Sequence, residues 1–269
     1  MSQRLRSKWD DLGERLLSGA VLVGLGSVCV WIGGTVFHLL VAAVCGMMVW
    51  ELVSMLDTRR ERSPLILGVA AAAAMLVASE VPASFALPLV LAPSMLGLGQ
   101  MERGGVTYAS FAALILLAGY GMIVLRDVYG AQWLLWLILV VVTTDVAGYF
   151  AGRSIGGKLL WPRVSPKKTW AGAIAGWVAA GGVGVAYAML TPAHAGLMGL
   201  SIAASMASQI GDIAESAVKR RAGVKDSSNL IPGHGGLFDR FDGMLGASVF
   251  ILIAGQITGF PPGIGPALP

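Results

Sequence analysis

Charge is what this chain has least of. Asp, Glu, Lys and Arg make up 13% of its 269 residues, against about 25% in an ordinary soluble domain. Cysteine is nearly absent. Cys29 and Cys45 both lie in apolar stretches, where a thiol reads as a small core hydrophobe and not as half of a disulfide. Two cysteines and three histidines leave no Cys/His framework for zinc. There is no basic stripe either. The net charge of +4 comes from residues scattered over short segments, which excludes a nucleic-acid surface. Residues 1–16 are polar and of mixed charge, and no small-residue cleavage site follows them, so a cleavable signal is not expected. Trp9, Leu12 and Leu16 among basic neighbours suit an interfacial amphipathic segment.

What is abundant is apolar length. Hydrophobic residues make up 56% of the chain and the mean hydropathy is +0.75. Runs of about 20 apolar residues recur, each able to cross a bilayer as a helix. The alternation of a membrane β-barrel is missing. The expected fold is all-α, a polytopic membrane helical bundle of about nine transmembrane helices. They fall near 17–33, 35–55, 64–80, 83–100, 105–125, 132–151, 171–190, 196–217 and 243–260. If the N-terminus is cytoplasmic and the spans alternate, 18 of the 19 Lys and Arg fall on the inner side, Arg126 being the exception. That asymmetry supports both orientation and count. It places two polar segments, 152–170 and 216–243, together on the cytoplasmic side as catalytic loops. Residues 1–130 then read as scaffold helices and 131–269 as the catalytic transmembrane region. The terminal GFPPGIGPALP is expected outside and irregular. Glu51, near the end of the second span, reads as an interfacial acid beside Arg59 and Arg60, the alternative being a buried functional acid.

The chemistry-bearing residues gather in the second half. Asp212, Glu215, Ser216 and Lys219 recur at helical spacing and share one face. The bland reading is a structural Asp–Lys network closing a helix end. The sharper one is a hydrophilic pocket with Asp212 as a metal ligand. Asp239 and Asp242 form a second i, i+3 pair where the last span begins. Helix capping explains one of them, but not Arg240 between them nor the glycine-rich turn before. Carboxylates from two helices suit Mg²⁺, which prefers oxygen and retains water and substrate phosphate oxygens. Pro232-Gly233-His234-Gly235-Gly236 can bring backbone N–H groups close to a phosphate, flanked by Lys225 and Arg240, with His234 as a further donor. In the other loop, Ser165-Pro166-Lys167-Lys168-Thr169 places two lysines at a helix start. They suit phosphate binding, or simply the basic inner face. Asp145, inside an apolar span just ahead of Gly148-Tyr149, is a functional candidate by its depth. Carboxylates for a divalent cation, cations for phosphates and small glycines at one membrane face fit metal-assisted phosphoryl or nucleotidyl transfer. One substrate would come from water and one from lipid.

From Ser216 to Asp242 the sequence resembles the signature of phosphatidate cytidylyltransferases, the CDP-diacylglycerol synthases. Ser216, Lys219, Arg220, Lys225, Asp226, Ser228, Pro232, His234, Gly235, Gly236, Asp239, Arg240 and Asp242 fill its positions. Asp145 with Tyr149, the Ser165–Thr169 run, and Gly211-Asp212 with Glu215-Ser216 are similar to the family as well. The similarity covers roughly residues 140–260, the first hundred residues matching in hydropathy alone. The resemblance implies cytidylyl transfer from CTP to phosphatidate, giving CDP-diacylglycerol and pyrophosphate for phospholipid synthesis. It implies a multi-pass enzyme of the bacterial inner membrane, a homodimer, using Mg²⁺ as one ion or two. Asp212, Asp239 and Asp242 would be the metal ligands. Asp212, Ser216, Lys219, Arg220, Lys225, Asp226, His234, Asp239, Arg240 and Asp242 would be the catalytic set. Asp145, Lys167, Lys168, Gly235 and Gly236 would bind substrate, the two lysines gripping either the lipid headgroup or the triphosphate. One position departs. Where the family usually has Glu-Gly two residues after the Ser165–Thr169 run, this chain has Ala171-Gly172.

Other classes are less well served. A relative acting on another lipid phosphate would need a differently shaped groove, which sequence does not reveal. A secondary transporter using Asp145 and Asp212 for ion coupling would need two related halves with broken helices, and none are evident. A catalytically dead scaffold has only Ala171 in its favour.

Overall fold

The computed structural model describes residues 18–57, 63–101, 104–231, 233, 235–258 and 260–262. The first segment, Arg59, Arg60, Pro232, His234 and the tail beyond 262 lie outside the described residues. Among those described there are nine helices. They are α1 (Ser18–Ile32), α2 (Gly34–Leu56), α3 (Ser63–Glu80), α4 (Ala83–Gln100), α5 (Gly105–Tyr129), α6 (Ala131–Ser154), α7 (Trp170–Leu190), α8 (Gly196–Arg221) and α9 (Phe238–Thr258). The seven from α2 to α8 are long and apolar enough to cross a membrane, which makes this a multi-pass membrane protein. Leu65, Val69, Ile174, Val178 and Ile210 are exposed, as lipid-facing side chains should be.

Three boundaries correct the reading from sequence. First, α8 continues to Arg221 and α9 begins at Phe238. The polar loop is therefore 222–237 and not 216–243. Ser216, Lys219 and Arg220 are helical, as are Asp239, Arg240 and Asp242. Charged residues at a helix end cost little in water, so hydropathy alone cuts these helices short. Second, the fold is all-helical apart from one short hairpin, which stands where a plain loop was expected. Strands β1 (Leu159–Trp161) and β2 (Ser165–Thr169) form an antiparallel hairpin within the 152–170 segment. Third, Glu51 is the buried acid of the two readings. It is 0% exposed.

The chain forms two compact units, Met1–Ala112 with Ala222–Phe241 and Ala113–Arg221 with Asp242–Pro269. In the first, α2 and α3 cross closely at Gly46 and Gly68, where a Cβ on Gly46 would stand 2.8 Å from the Gly68 carbonyl oxygen. Tyr108 is fully buried, and its hydroxyl donates to the Pro93 carbonyl at 3.0 Å. The loop 222–237 belongs to this unit.

The second unit is sewn together by a polar seam along α8. Trp136 Nε1 donates to Ser201 Oγ at 3.1 Å, Thr144 Oγ1 to Ser205 Oγ at 2.7 Å, and Trp177 Nε1 to Gln209 Oε1 at 2.9 Å. In hydrocarbon such interhelical bonds replace water as the partner of these groups. The same face of α8 continues to Asp212.

Candidate active site

The second unit contains a cavity of about 500 Å³. Helix α6 lines it with Asp145, Gly148, Tyr149, Gly152 and Arg153, which share one face because they recur at helical spacing. The hairpin contributes Ser165, Lys167, Lys168 and Thr169, the start of α7 adds Gly172, and α8 adds Gln209 and Asp212. Close packing at two glycines makes the wall. A Cβ on Gly172 would lie 2.6 Å from the Gly148 carbonyl oxygen, so α6 and α7 can meet only while that position is glycine. Thr169 caps α7, its side chain accepting from Gly172 N at 3.1 Å. That cap fixes the exit of β2 and hence the placement of the two lysines before it.

Lys168 Nζ is ion-paired with Asp212 Oδ2. Asp145 and Asp242 lie within electrostatic range of this pair and of each other. Asp242 arrives from α9 because α8 and α9 touch at Gly211, where a Cβ would stand 2.6 Å from the Asp242 carbonyl oxygen and 2.9 Å from Gly246 N. Asp242 Oδ1 accepts from Gly243 N at 2.7 Å. Three carboxylates and one ammonium thus gather at one end of this bundle. Lys167 is exposed beside them, and Arg153 Nη1 donates to Tyr149 Oη at 2.8 Å on the cavity wall.

The other sequence-derived residues divide. Ser216 Oγ lies 3.5 Å from Asp212 Oδ1, at the limit of a hydrogen bond. Lys219 Nζ is 2.8 Å from Glu215 Oε1, and that pair is largely buried. Both contacts run along one face of α8, at i, i+4 spacing. Arg220 and Arg240 are exposed at the end of α8 and the start of α9, and Lys225 and Asp226 are exposed in the 222–237 loop.

Asp239 is turned into that loop. Its Oδ2 accepts from Ser227 N at 2.8 Å, Ser227 Oγ at 3.0 Å and Gly236 N at 2.9 Å. Gly235 sits at φ +80°, and Ile231 N donates to its carbonyl at 2.8 Å, closing the turn.

Glu51 is the residue that sequence reasoning misplaced. Its carboxylate accepts from Ser228 Oγ, Leu237 N and Phe238 N at 2.6, 2.9 and 2.8 Å, with Ser227 Oγ at 3.1 Å. The signal was present in the sequence, since an acid inside an apolar span is a functional hypothesis by default.

The donor set fits Mg²⁺ in a limited way. Among the described residues, no three His, Cys, Asp or Glu side chains converge to cage an ion. Asp212 and Asp242 would supply two oxygens, and Mg²⁺ habitually completes its octahedron with water and phosphate.

Fold and site together describe a helical membrane protein with lysines set beside carboxylates in a cavity. The sequence model of the cytidylyltransferase family matches residues 13–258. A phosphatidate cytidylyltransferase from Brucella suis biovar 1 (strain 1330) is 36% identical over 262 residues, covering 93% of this chain and 96% of the relative. One from Bacillus subtilis (strain 168) is 30% identical over 259 residues, 90% and 96% of the two chains. The chain belongs to the cytidylyltransferase family, and it is a nucleotidyltransferase.

Proposed function

We propose that this protein transfers the cytidylyl group of CTP to phosphatidate, forming CDP-diacylglycerol and releasing pyrophosphate. The observation that carries the reading is the cavity in which Lys167 and Lys168 face Asp145 and Asp212, in a chain similar over nine-tenths of its length to proteins named phosphatidate cytidylyltransferase.

A phosphatidate oxygen attacks the α-phosphorus of CTP, and the bond from that phosphorus to the β-phosphate bridging oxygen breaks. The nucleophile is already anionic, so the difficulty is bringing two polyanions together and stabilising the departing pyrophosphate. Lys167 and Lys168 supply positive charge on the cavity wall, and Arg153 adds more at its edge. Arg220 is a further phosphate-binding cation, and Lys225, His234 and Arg240 are phosphate-binding candidates by their places in the signature. Asp212 and Asp242 would hold Mg²⁺, with Asp145 beside them. The ion supplies charge neutralisation on the CTP phosphates. Asp239 organises the loop through three donors to its Oδ2. Gly235 and Gly236 shape the loop backbone. The site faces the cytoplasm of a bacterial inner membrane, where CTP is available and phosphatidate arrives laterally from the leaflet, and the enzyme works as a homodimer.

The test uses purified full-length protein in detergent micelles with phosphatidate, labelled CTP and Mg²⁺, with EDTA as control. Stoichiometric CDP-diacylglycerol and pyrophosphate that vanish with EDTA are the expected result. Product only with another lipid phosphate would overturn the substrate assignment.

A further inference from the structure

Glu51 is in α2, 176 or more positions before every residue it contacts in the loop and in the start of α9. A carboxylate with no exposure in a membrane-spanning helix is costly unless its oxygens are bonded. Here each oxygen receives a hydroxyl and a backbone N–H. Oε1 takes Ser228 Oγ and Leu237 N, and Oε2 takes Ser227 Oγ and Phe238 N. The two backbone donors are among those a helix start leaves without an internal partner. The single proton of the Ser227 hydroxyl is shared with Asp239 Oδ2, 3.0 Å away. Glu51 and Asp239 therefore each tie residues 227–228 to residues 236–238. Gly236 packs closely on the carboxylate, since a Cβ there would stand 2.5 Å from Glu51 Oε1. Phe238 is fully buried and meets Phe111 edge to face, centroids 6.2 Å apart.

We infer that Glu51 is a positioning residue for the transfer reaction, a buried acceptor in the second helix that fixes the 227–238 segment and so sets where Lys225, Asp226 and Arg240 stand. The inference rests on the cytidylyl-transfer reading above. The chemistry required at position 51 is acceptance at both oxygens, because Leu237 N and Phe238 N can only donate. A glutamine has the same length but presents one N–H₂ to a donor. An aspartate keeps two acceptors on a shorter stem.

The experiment measures kcat and KM for CTP and for phosphatidate, with the Mg²⁺ requirement, in full-length wild type, Glu51→Gln, Glu51→Asp and Ser228→Ala. Each is purified in micelles and checked for monodispersity and unfolding temperature. In folded Glu51→Gln, kcat should fall roughly 10- to 100-fold, the range for partners that orient reacting groups, with both KM values moving less than kcat. Glu51→Asp should recover part of the loss. A residue that merely fills space would show the reverse order, with Gln tolerated and Asp not, and that order overturns the inference. Full kcat in folded Glu51→Gln overturns it too. Should Glu51→Gln yield no folded protein, Ser228→Ala decides. Lowered kcat at an unchanged unfolding temperature supports the inference, and normal kcat sinks it. No product from folded wild type removes the reaction reading and this inference with it. A productive wild type beside a fully active Gln variant removes the inference alone.

Discussion

Lys168 and Asp212, 44 positions apart, are joined as an ion pair on the wall of the cavity. The lysine leaves the hairpin and the aspartate leaves α8, so the contact ties the hairpin to a membrane-spanning helix. Lys168 is also the cation within range of both Asp145 and Asp242. Lys168→Met removes the positive charge from among three carboxylates. Turnover should fall roughly 100- to 1,000-fold, as when one preorganised electrostatic donor is lost. Lys168→Arg should recover little, since a planar fork does not replace a compact ammonium. Product formation from labelled CTP, normalised to folded protein, checks both.

Asp239 and Asp242 lie three residues apart in α9, yet their surroundings predict different losses. Asp242→Asn removes one of three like charges at the cavity end, so turnover should disappear while the unfolding temperature stays level or rises. Asp239→Ala strips the acceptor from Ser227 N and Gly236 N, each orphaned donor costing about 1–3 kcal/mol. Stability and turnover should therefore fall together. Thermal unfolding run beside the activity assay separates the two. An Asp239→Ala protein as stable as wild type would contradict the loop role.

Much of this was legible in the chain. Helix positions could be read because about 20 apolar residues between short polar breaks allow few alternatives in lipid. Asp145, Lys168 and Asp212 could be named because charge in such a chain is costly and so informative. The helix ends could not. The first five residues of α9 include Asp239, Arg240 and Asp242, which hydropathy assigns to a loop. The hairpin was hidden because β1 is three residues long and its pairing with β2 is a tertiary fact. Glu51 was misplaced for the opposite reason. Nearby Arg59 and Arg60 gave it an easy partner in sequence, while its actual partners lie 176 to 187 positions away.

Gly211 tests whether the approach of α8 to α9 creates the acidic end of the cavity. An alanine there would put its Cβ 2.6 Å from the Asp242 carbonyl oxygen, a contact relieved only by moving a backbone. Overpacking of this kind costs about 1–3 kcal/mol. Gly211→Ala should lower the unfolding temperature and, by spreading Asp212 from Asp242, weaken the dependence on Mg²⁺. A titration of activity against Mg²⁺ should show a higher half-saturating concentration. Gly199, on the same helix with nothing near its Cβ, is the control, and Gly199→Ala should leave both quantities unchanged.

Lys219 is the residue whose loss is easiest to misread. It stands in the signature with the catalytic cations, yet its ammonium is 2.8 Å from Glu215 Oε1, in a pair whose carboxylate side chain is 1% exposed. Removing one member of a buried pair leaves an uncompensated charge and costs about 3–5 kcal/mol. Lys219→Met should therefore lower the yield of folded protein before it says anything about catalysis. The double variant Glu215→Gln with Lys219→Met removes both charges and should regain most of the lost stability. If its turnover also returns, Lys219 serves the fold. If the doubly substituted protein is stable and inactive, Lys219 acts on the substrate as well. The unfolding temperature fixes which of the two a measured loss of activity reports.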